Sequence, residues 1–183
     1  MAMNPELMKA ILAMDAYNRG YNAGIKFGTD PNNSTAIDGV TQVGNAVVYQ
    51  SANSSAAQDI SFYAIAYEYG GKTVISYRGT DDFSLLGGDP YYGWGVGLGS
   101  AAGPQALMAF DFYNVVKACT ACDISLTGHS MGGGLAGLVS AVTGVEGILF
   151  DNMALRGRSS KPEGRWRPLS FLSGSLCRSI CNP

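Results

Sequence analysis

The sequence has few charged residues and a single histidine. Asp, Glu, Lys and Arg make up 14% of its 183 residues, and the formal net charge is −2. This weak charge argues against a nucleic-acid-binding surface, which needs clustered positive charge. The one histidine is His129, so any chemistry that needs an imidazole depends on where this residue lies.

Long apolar runs and an N-terminal leader are also missing. No stretch reaches the ~18 uncharged apolar residues of a membrane helix, since the best run, residues 135–150, contains Glu146. The first residues lack the basic region that leads into the apolar part of a signal peptide. We therefore expect no transmembrane segment and, by default, a cytoplasmic location. The 46% of hydrophobic residues can supply the core of about one domain.

The four cysteines occur as two close pairs, Cys119 with Cys122 and Cys177 with Cys181. Two such pairs are one way to build a four-thiolate zinc site. Neither pair, however, has the turn glycines of a zinc knuckle. Reduced thiols are the default where no secretory signal is present, so we expect free, partly buried thiols, no metal and no cofactor.

Residues 123–142 are the most informative stretch, because an apolar strand runs through Gly128-His129-Ser130-Met131-Gly132 into a helix of small residues. In the pattern G-x-S-x-G, the serine occupies a sharp strand-to-helix turn that exposes its hydroxyl. Ser130 is therefore the predicted nucleophile. The N–H of Met131, at the start of the helix, would point to where an acyl oxyanion develops. The alternative is a glycine-rich turn that only packs the helix closely onto the sheet.

Apolar periodicity and turn residues predict the order of elements along the rest of the chain. They indicate a helix capped by Asn4 that ends near residue 18, a loop over 21–45, strands over 46–50, 60–69 and 72–78, a helix over 104–118, and a strand ending at Asp151. Gly70-Gly71 predicts a two-residue hairpin turn between the second and third strands. The mixture of strands and helices predicts an α/β fold with a mixed sheet.

Two segments stand apart from this pattern. Residues 81–103 are rich in glycine, and we interpret them either as a flap with aromatic residues beside an apolar cleft or as a plain surface loop. Their glycines do not open a helix with the spacing of a dinucleotide-binding motif. Residues 156–183 hold 6 of the 12 basic residues but 1 of the 14 acidic ones. We therefore predict a core at 1–155 and an atypical basic tail, disordered or translated out of frame.

Two motifs together resemble the class 3, fungal-lipase-like lipases of the α/β-hydrolase fold. They are Y-R-G-T at Tyr77–Thr80 and G-H-S-M-G-G-G-L-A at Gly128–Ala136, and M-D-A-Y-N-R-G-Y at Met14–Tyr21 adds to the likeness. The resemblance covers roughly residues 5–155. It implies a three-layer α/β-hydrolase core with a mixed sheet.

The resemblance also implies an activity, which is the hydrolysis of a small-molecule ester or a lipid. Ser130 would form an acyl-enzyme with the ester carbonyl. Thr80, through its backbone N–H and its hydroxyl, would form the oxyanion hole together with the N–H of Met131. Arg78, in the same motif as Thr80, is expected to have a structural hydrogen-bonding role.

The chain departs from the family pattern after the serine motif. In the family, the catalytic acid and histidine follow on later strands, whereas this chain changes character after residue 155. Asp151 could occupy an alternative acid position, and Asp81 or Asp82 could also act as the base. His129 directly precedes the serine, and strand alternation sends its side chain to the other side.

A C-terminally truncated hydrolase with weak activity is therefore expected. The alternative is a non-catalytic remnant of the fold that binds an apolar ligand or a partner. If the last strands of the family are missing, an open sheet edge would be exposed, which predicts self-association.

Overall fold

A computed structural model describes residues 4–21, 42–43, 46–52, 54–79 and 103–152. The helices in these ranges are α1 (Pro5–Asp15), extended by a 3-10 turn (Ala16–Asn18), α2 (Ser55–Asp59), α3 (Pro104–Cys119) and α4 (Met131–Thr143). The strands are β1 (Gln42–Val43), β2 (Ala46–Ala52), β3 (Ala64–Tyr69), β4 (Lys72–Tyr77), β5 (Ile124–His129) and β6 (Gly147–Phe150).

The described strands form one mixed sheet in the order β1-β2-β3-β4-β5-β6. Strands β1 to β4 pair antiparallel, and β4, β5 and β6 run parallel. Gly70 and Gly71 join β3 to β4 with φ angles of 60° and 74°, which glycine adopts without a steric penalty. The predicted hairpin and the predicted mixed α/β sheet are both confirmed.

Helices cover both faces of the sheet and give it three layers. Side chains alternate along β3, so that Ile65 and Tyr67 pack against α1, whereas Ala64 and Ala66 join the core beneath α3 and α4. We call these the α1 face and the α3/α4 face. This alternation is the expected consequence of the two-residue period of a strand.

The helix ends follow the capping signals in the sequence. The Asn4 side chain accepts a hydrogen bond of 2.8 Å from the Glu6 N–H, and Pro5 occupies the first turn of α1. Helix α4 ends at Gly144, which has a left-handed φ of 74°. The cap at Asn4 is the one that the sequence predicted, because asparagine satisfies a free N–H. At the end of α4, glycine tolerates the left-handed conformation.

The second predicted strand, over residues 60–69, begins too early. The Ser54 side chain accepts a hydrogen bond of 3.2 Å from the Ala57 N–H and caps α2, a short helix that the apolar pattern did not indicate. Ser61 follows with a φ of 54°, which no strand accommodates, and β3 starts only at Ala64. The short strand β1 also lies inside the stretch predicted as loop.

The expectation of reduced thiols is wrong for the two cysteines at the end of α3. Cys119 and Cys122 are each part of a disulfide, so their sulfurs cannot serve as zinc thiolates. The prediction rested on the absence of a signal peptide, which does not report whether the fold brings two sulfurs within bonding distance.

Three of the predictions concern residues outside the described ranges. They are the role of Thr80, the flap or loop at 81–103, of which only residue 103 is described, and the tail at 156–183. In the described part of the chain, no helix has the length and apolar character needed to cross a membrane.

Candidate active site

Ser130 occupies a sharp turn between β5 and α4. Its backbone has φ 55° and ψ −125°, a conformation that costs a non-glycine residue on the order of 1–3 kcal/mol. The surrounding chain holds it there, because the Ser130 N–H donates to the Phe150 carbonyl at 3.1 Å and the Gly134 N–H donates to the Ser130 carbonyl at 3.1 Å. This is the strand–turn–helix geometry that the G-x-S-x-G pattern predicts.

Glycines on either side of Ser130 let α4 approach the sheet closely. A Cβ on Gly132 would overlap the Tyr77 carbonyl and lie 2.7 Å from the carbonyl carbon of Arg78. A Cβ on Gly128 would lie 2.8 Å from the Gly133 nitrogen. The two glycines are required because backbone atoms, which cannot move aside, fill the space that a side chain would need.

The turn separates the residues next to Ser130 onto opposite faces of the sheet. The Met131 side chain is 2% exposed and lies in the core of the α3/α4 face. His129 points to the α1 face, where its ring meets the ring of Tyr17 edge-on with centroids 5.8 Å apart. Ser130 itself is half-buried, so part of its surface remains open to solvent.

His129 makes its contacts with Tyr17, which belongs to the 3-10 turn after α1. The Tyr17 hydroxyl lies 3.1 Å from Nδ1 of His129 and 3.2 Å from the carbonyl oxygen of the same residue. These contacts hold the imidazole against the N-terminal segment. The structure thus places His129 on the side of the strand that its alternation indicated.

Arg78, which directly follows β4, has the structural contacts expected for it. Its side chain is 2% exposed, and Nη1 donates to the carbonyls of Arg19 at 3.1 Å and Tyr21 at 2.8 Å. The guanidinium carbon lies 4.4 Å from the ring centroid of Tyr21 and 4.8 Å from that of Tyr63. A charge buried between two rings and two carbonyls fixes the backbone that leads to Gly79.

Asp151 directly follows Phe150, whose carbonyl accepts the hydrogen bond from the N–H of Ser130. Asp151 is exposed and has a φ of 45°. Parallel strands β4, β5 and β6 end at one edge of the sheet, which is where open α/β sheets carry their sites. The structure therefore brings Ser130, Met131 and Asp151 to this edge, whereas Thr80, Asp81 and Asp82 lie outside the described residues.

Sequence reasoning assigned no role to Tyr17. The residue was noted only as part of the motif M-D-A-Y-N-R-G-Y. Helical periodicity could not show its role, because the contact partner lies more than a hundred residues away along the chain.

Comparisons with known proteins give distant likenesses among solved structures and no match of sequence. No protein-family profile matches the chain, and no curated protein matches it. Among solved structures, Lip2 lipase from Yarrowia lipolytica aligns with a TM-score of 0.45 and 15% identity, over 78% of this chain and 56% of that chain. The chain thus spans little more than half the length of that lipase. A match at this level says nothing about substrate or activity.

The class of fold follows from the chain's own architecture. A mixed sheet lies between helical layers, and a parallel strand enters a helix through a strained serine flanked by glycines. This is an α/β-hydrolase-like fold.

Proposed function

We propose that the protein is a carboxylic ester hydrolase that acts through an acyl-enzyme on Ser130. The observation that carries the proposal is the backbone of Ser130, with φ 55° and ψ −125° at the junction of β5 and α4. A fold retains such strain where the conformation has a use. Here it presents a hydroxyl at the edge where the parallel strands end.

The start of α4 supports the second part of the mechanism. Backbone N–H groups in the first turn of a helix point along its axis, and the helix dipole favours negative charge there. The Met131 N–H would therefore stabilise the oxyanion that forms when Ser130 attacks an ester carbonyl. Thr80 is proposed as the second donor. It comes directly after Gly79, which lies against the backbone of Gly132.

Asp151 is proposed as the acid of the site, since it follows the residue that bonds to Ser130 through the backbone. The general base is a carboxylate or a group from another chain rather than His129, because the contacts of His129 are with Tyr17. A site without an imidazole beside the serine loses most of its rate, while oxyanion stabilisation and binding retain roughly 10³- to 10⁴-fold over water. We therefore expect slow turnover that favours activated esters.

Hydrolysis of a short-chain nitrophenyl ester tests the proposal. Wild type should hydrolyse it faster than buffer, and Ser130→Ala should be clearly slower than wild type, because it keeps oxyanion stabilisation and binding but has no nucleophile to acylate. Ser125→Ala is the matched control, because Ser125 is a buried serine in the strand that leads to the turn, and its hydroxyl has no described hydrogen-bond partner. Equal rates for wild type and Ser130→Ala would remove Ser130 as the nucleophile.

A second function, that of a non-catalytic fold binding an apolar ligand, is favoured by one observation. The ring of the single histidine of the sequence is held by Tyr17 on the α1 face, so it is not available to the Ser130 hydroxyl. Folded wild-type protein that hydrolyses the ester no faster than buffer would favour this alternative.

A further inference from the structure

Tyr17 contacts the two chain segments that meet at the candidate site. It is 6% exposed and lies in the 3-10 turn at the end of α1. Its hydroxyl reaches His129, the residue before Ser130. The same hydroxyl lies against Gly79, the residue before Thr80, so closely that a Cβ on Gly79 would overlap it.

Gly79 and His129 also approach each other directly. A Cβ on Gly79 would lie 2.8 Å from the His129 carbonyl oxygen, the atom that accepts from the Tyr17 hydroxyl at 3.2 Å. The Tyr17 hydroxyl therefore lies where Gly79, just after β4, approaches His129, the last residue of β5. Its position sets the distance between these two residues.

The two contacts of the hydroxyl also assign the protons. A phenol has one proton to donate, and the His129 carbonyl can only accept it. The Tyr17 oxygen then accepts a hydrogen bond from Nδ1–H of His129 at 3.1 Å. This arrangement gives each of the two contacts a donor and an acceptor, and it requires a proton on Nδ1 of His129.

We propose that Tyr17 is a positioning residue of the ester hydrolase: its hydroxyl fixes His129 and Gly79 relative to each other, and through His129 it positions Ser130 for attack on an acyl group. The inference rests on the proposed function. A small displacement of reacting groups is enough to lower a rate strongly. Loss of the hydroxyl should therefore reduce the reactivity of Ser130 without unfolding the protein.

The test compares Tyr17→Phe with wild type in two measurements. The first is the second-order rate constant for fluorophosphonate labelling of Ser130, which we expect to fall about tenfold to a hundredfold. The maximal rate should fall, whereas the concentration of probe at half-saturation should change little, because Tyr17 does not contact the probe. Tyr77→Phe is the matched control, since it removes a buried tyrosine hydroxyl from the α3/α4 face, where it donates to the Ala109 carbonyl, and it should leave the labelling rate unchanged.

The second measurement is the nitrogen chemical shifts of the His129 ring, which need no assignment because the sequence contains a single histidine. Wild type should show the Nδ1–H tautomer, and Tyr17→Phe should shift the population towards the Nε2–H form that free imidazole prefers. Near-ultraviolet circular dichroism would establish that each variant is folded.

The outcomes separate this inference from the function on which it rests. Wild type that is not labelled would overturn the proposed function, and a wild-type Nδ1–H tautomer would still support the hydrogen bond. Labelling of wild type and Tyr17→Phe at the same rate would leave the hydrolase standing and overturn the positioning role. An Nε2–H tautomer in wild type would overturn the proton arrangement.

Discussion

Both faces of the sheet pack apolar side chains against their helices, and the α1 face adds buried polar contacts between helix and strands. On the α3/α4 face, apolar side chains such as Phe112, Leu126 and Leu135 pack together. On the α1 face, a buried polar group also joins the helix to a strand, because the Ser76 hydroxyl donates to the Leu12 carbonyl at 3.0 Å. Apolar packing tolerates small shifts, whereas a hydrogen bond holds a defined separation.

A buried charge cluster strengthens the α1 face further. Asp15 accepts hydrogen bonds from the Arg19 guanidinium and, at 2.6 Å, from the Tyr67 hydroxyl. Burial, and then the charge of Asp15, raise the pKa of Tyr67 well above its usual range, so this hydroxyl remains a donor. The serine turn lies between the two faces. His129, before Ser130, is held on the α1 face, which we call the polar face, and Met131, after it, is held on the α3/α4 face, which we call the apolar face. We infer that the polar face sets the position of Ser130 and that helix α4 approaches the sheet closely on the apolar face.

The change expected to have the largest effect is Asp15→Ala, which would remove the carboxylate from the polar face. Breaking one side of a buried ion pair costs about 3–5 kcal/mol, because the remaining charge stays out of water. We expect the free energy of unfolding, measured by urea denaturation, to fall by this amount. Asp15→Asn, which retains an acceptor oxygen, should lose less. A loss below about 1 kcal/mol for Asp15→Ala would show that the cluster is not buried.

Gly132→Ala tests the close approach on the apolar face. Its Cβ would overlap the Tyr77 carbonyl and lie 2.8 Å from the Gly79 nitrogen, so we expect a loss of about 2–3 kcal/mol in the free energy of unfolding. Gly147→Ala is the control, since its Cβ would lie 3.4 Å or more from its neighbours, all of them side-chain atoms. Equal effects of the two substitutions would contradict the account of the turn.

Removing one tyrosine hydroxyl from each face compares the faces directly. Tyr67→Phe removes a donor to a charged acceptor and should cost about 2 kcal/mol. Tyr77 donates to the Ala109 carbonyl at 3.0 Å, so Tyr77→Phe should cost only about 1 kcal/mol. Chemical denaturation of the two variants measures both values. A larger loss in the free energy of unfolding for Tyr77→Phe than for Tyr67→Phe would contradict the view that the polar contacts of the α1 face are the stronger ones.

The smallest expected effect concerns Asp111, in α3. Burial raises the pKa of this carboxyl above its ordinary value, so the folded protein binds the proton more tightly than the unfolded chain. Stability is therefore lost as the pH rises from the ordinary value through the raised one. Asp111→Asn should match wild type in acid and gain at most about 0.5 kcal/mol at neutral pH, since water screens the exposed part of this half-buried carboxyl. Thermal unfolding of both proteins across this pH range would detect the difference. An Asp111→Asn variant less stable than wild type at neutral pH would contradict the prediction.

Sequence reasoning succeeded on the apolar face and at the turns. The period of the helix after Ser130, the glycine pair of the hairpin, and the caps at Asn4 and Gly144 are local signals, and the structure shows each of them. Leu7 departs from the rule that the apolar side chains of an amphipathic helix face the core, since it is 55% exposed.

The polar face could not be predicted in the same way. Asp15 and Lys9 look like surface residues of an amphipathic helix, yet both are buried. Their partners lie far away along the chain, Tyr67 in β3 for Asp15 and Glu146, just before β6, for Lys9. The role of Tyr17 is hidden for the same reason. Local patterns report propensity, whereas these contacts depend on how the chain is folded in space.

The central claim is that the turn holds Ser130 as a nucleophile, and trapping the acyl-enzyme tests it most directly. Protein quenched in acid during hydrolysis of a nitrophenyl ester would be digested and its peptides analysed by mass spectrometry. Because His129 is engaged by Tyr17, deacylation should be slow, and we predict that one acyl group accumulates on Ser130. An acyl group on another residue, or none on folded protein that is hydrolysing the ester, would contradict the account.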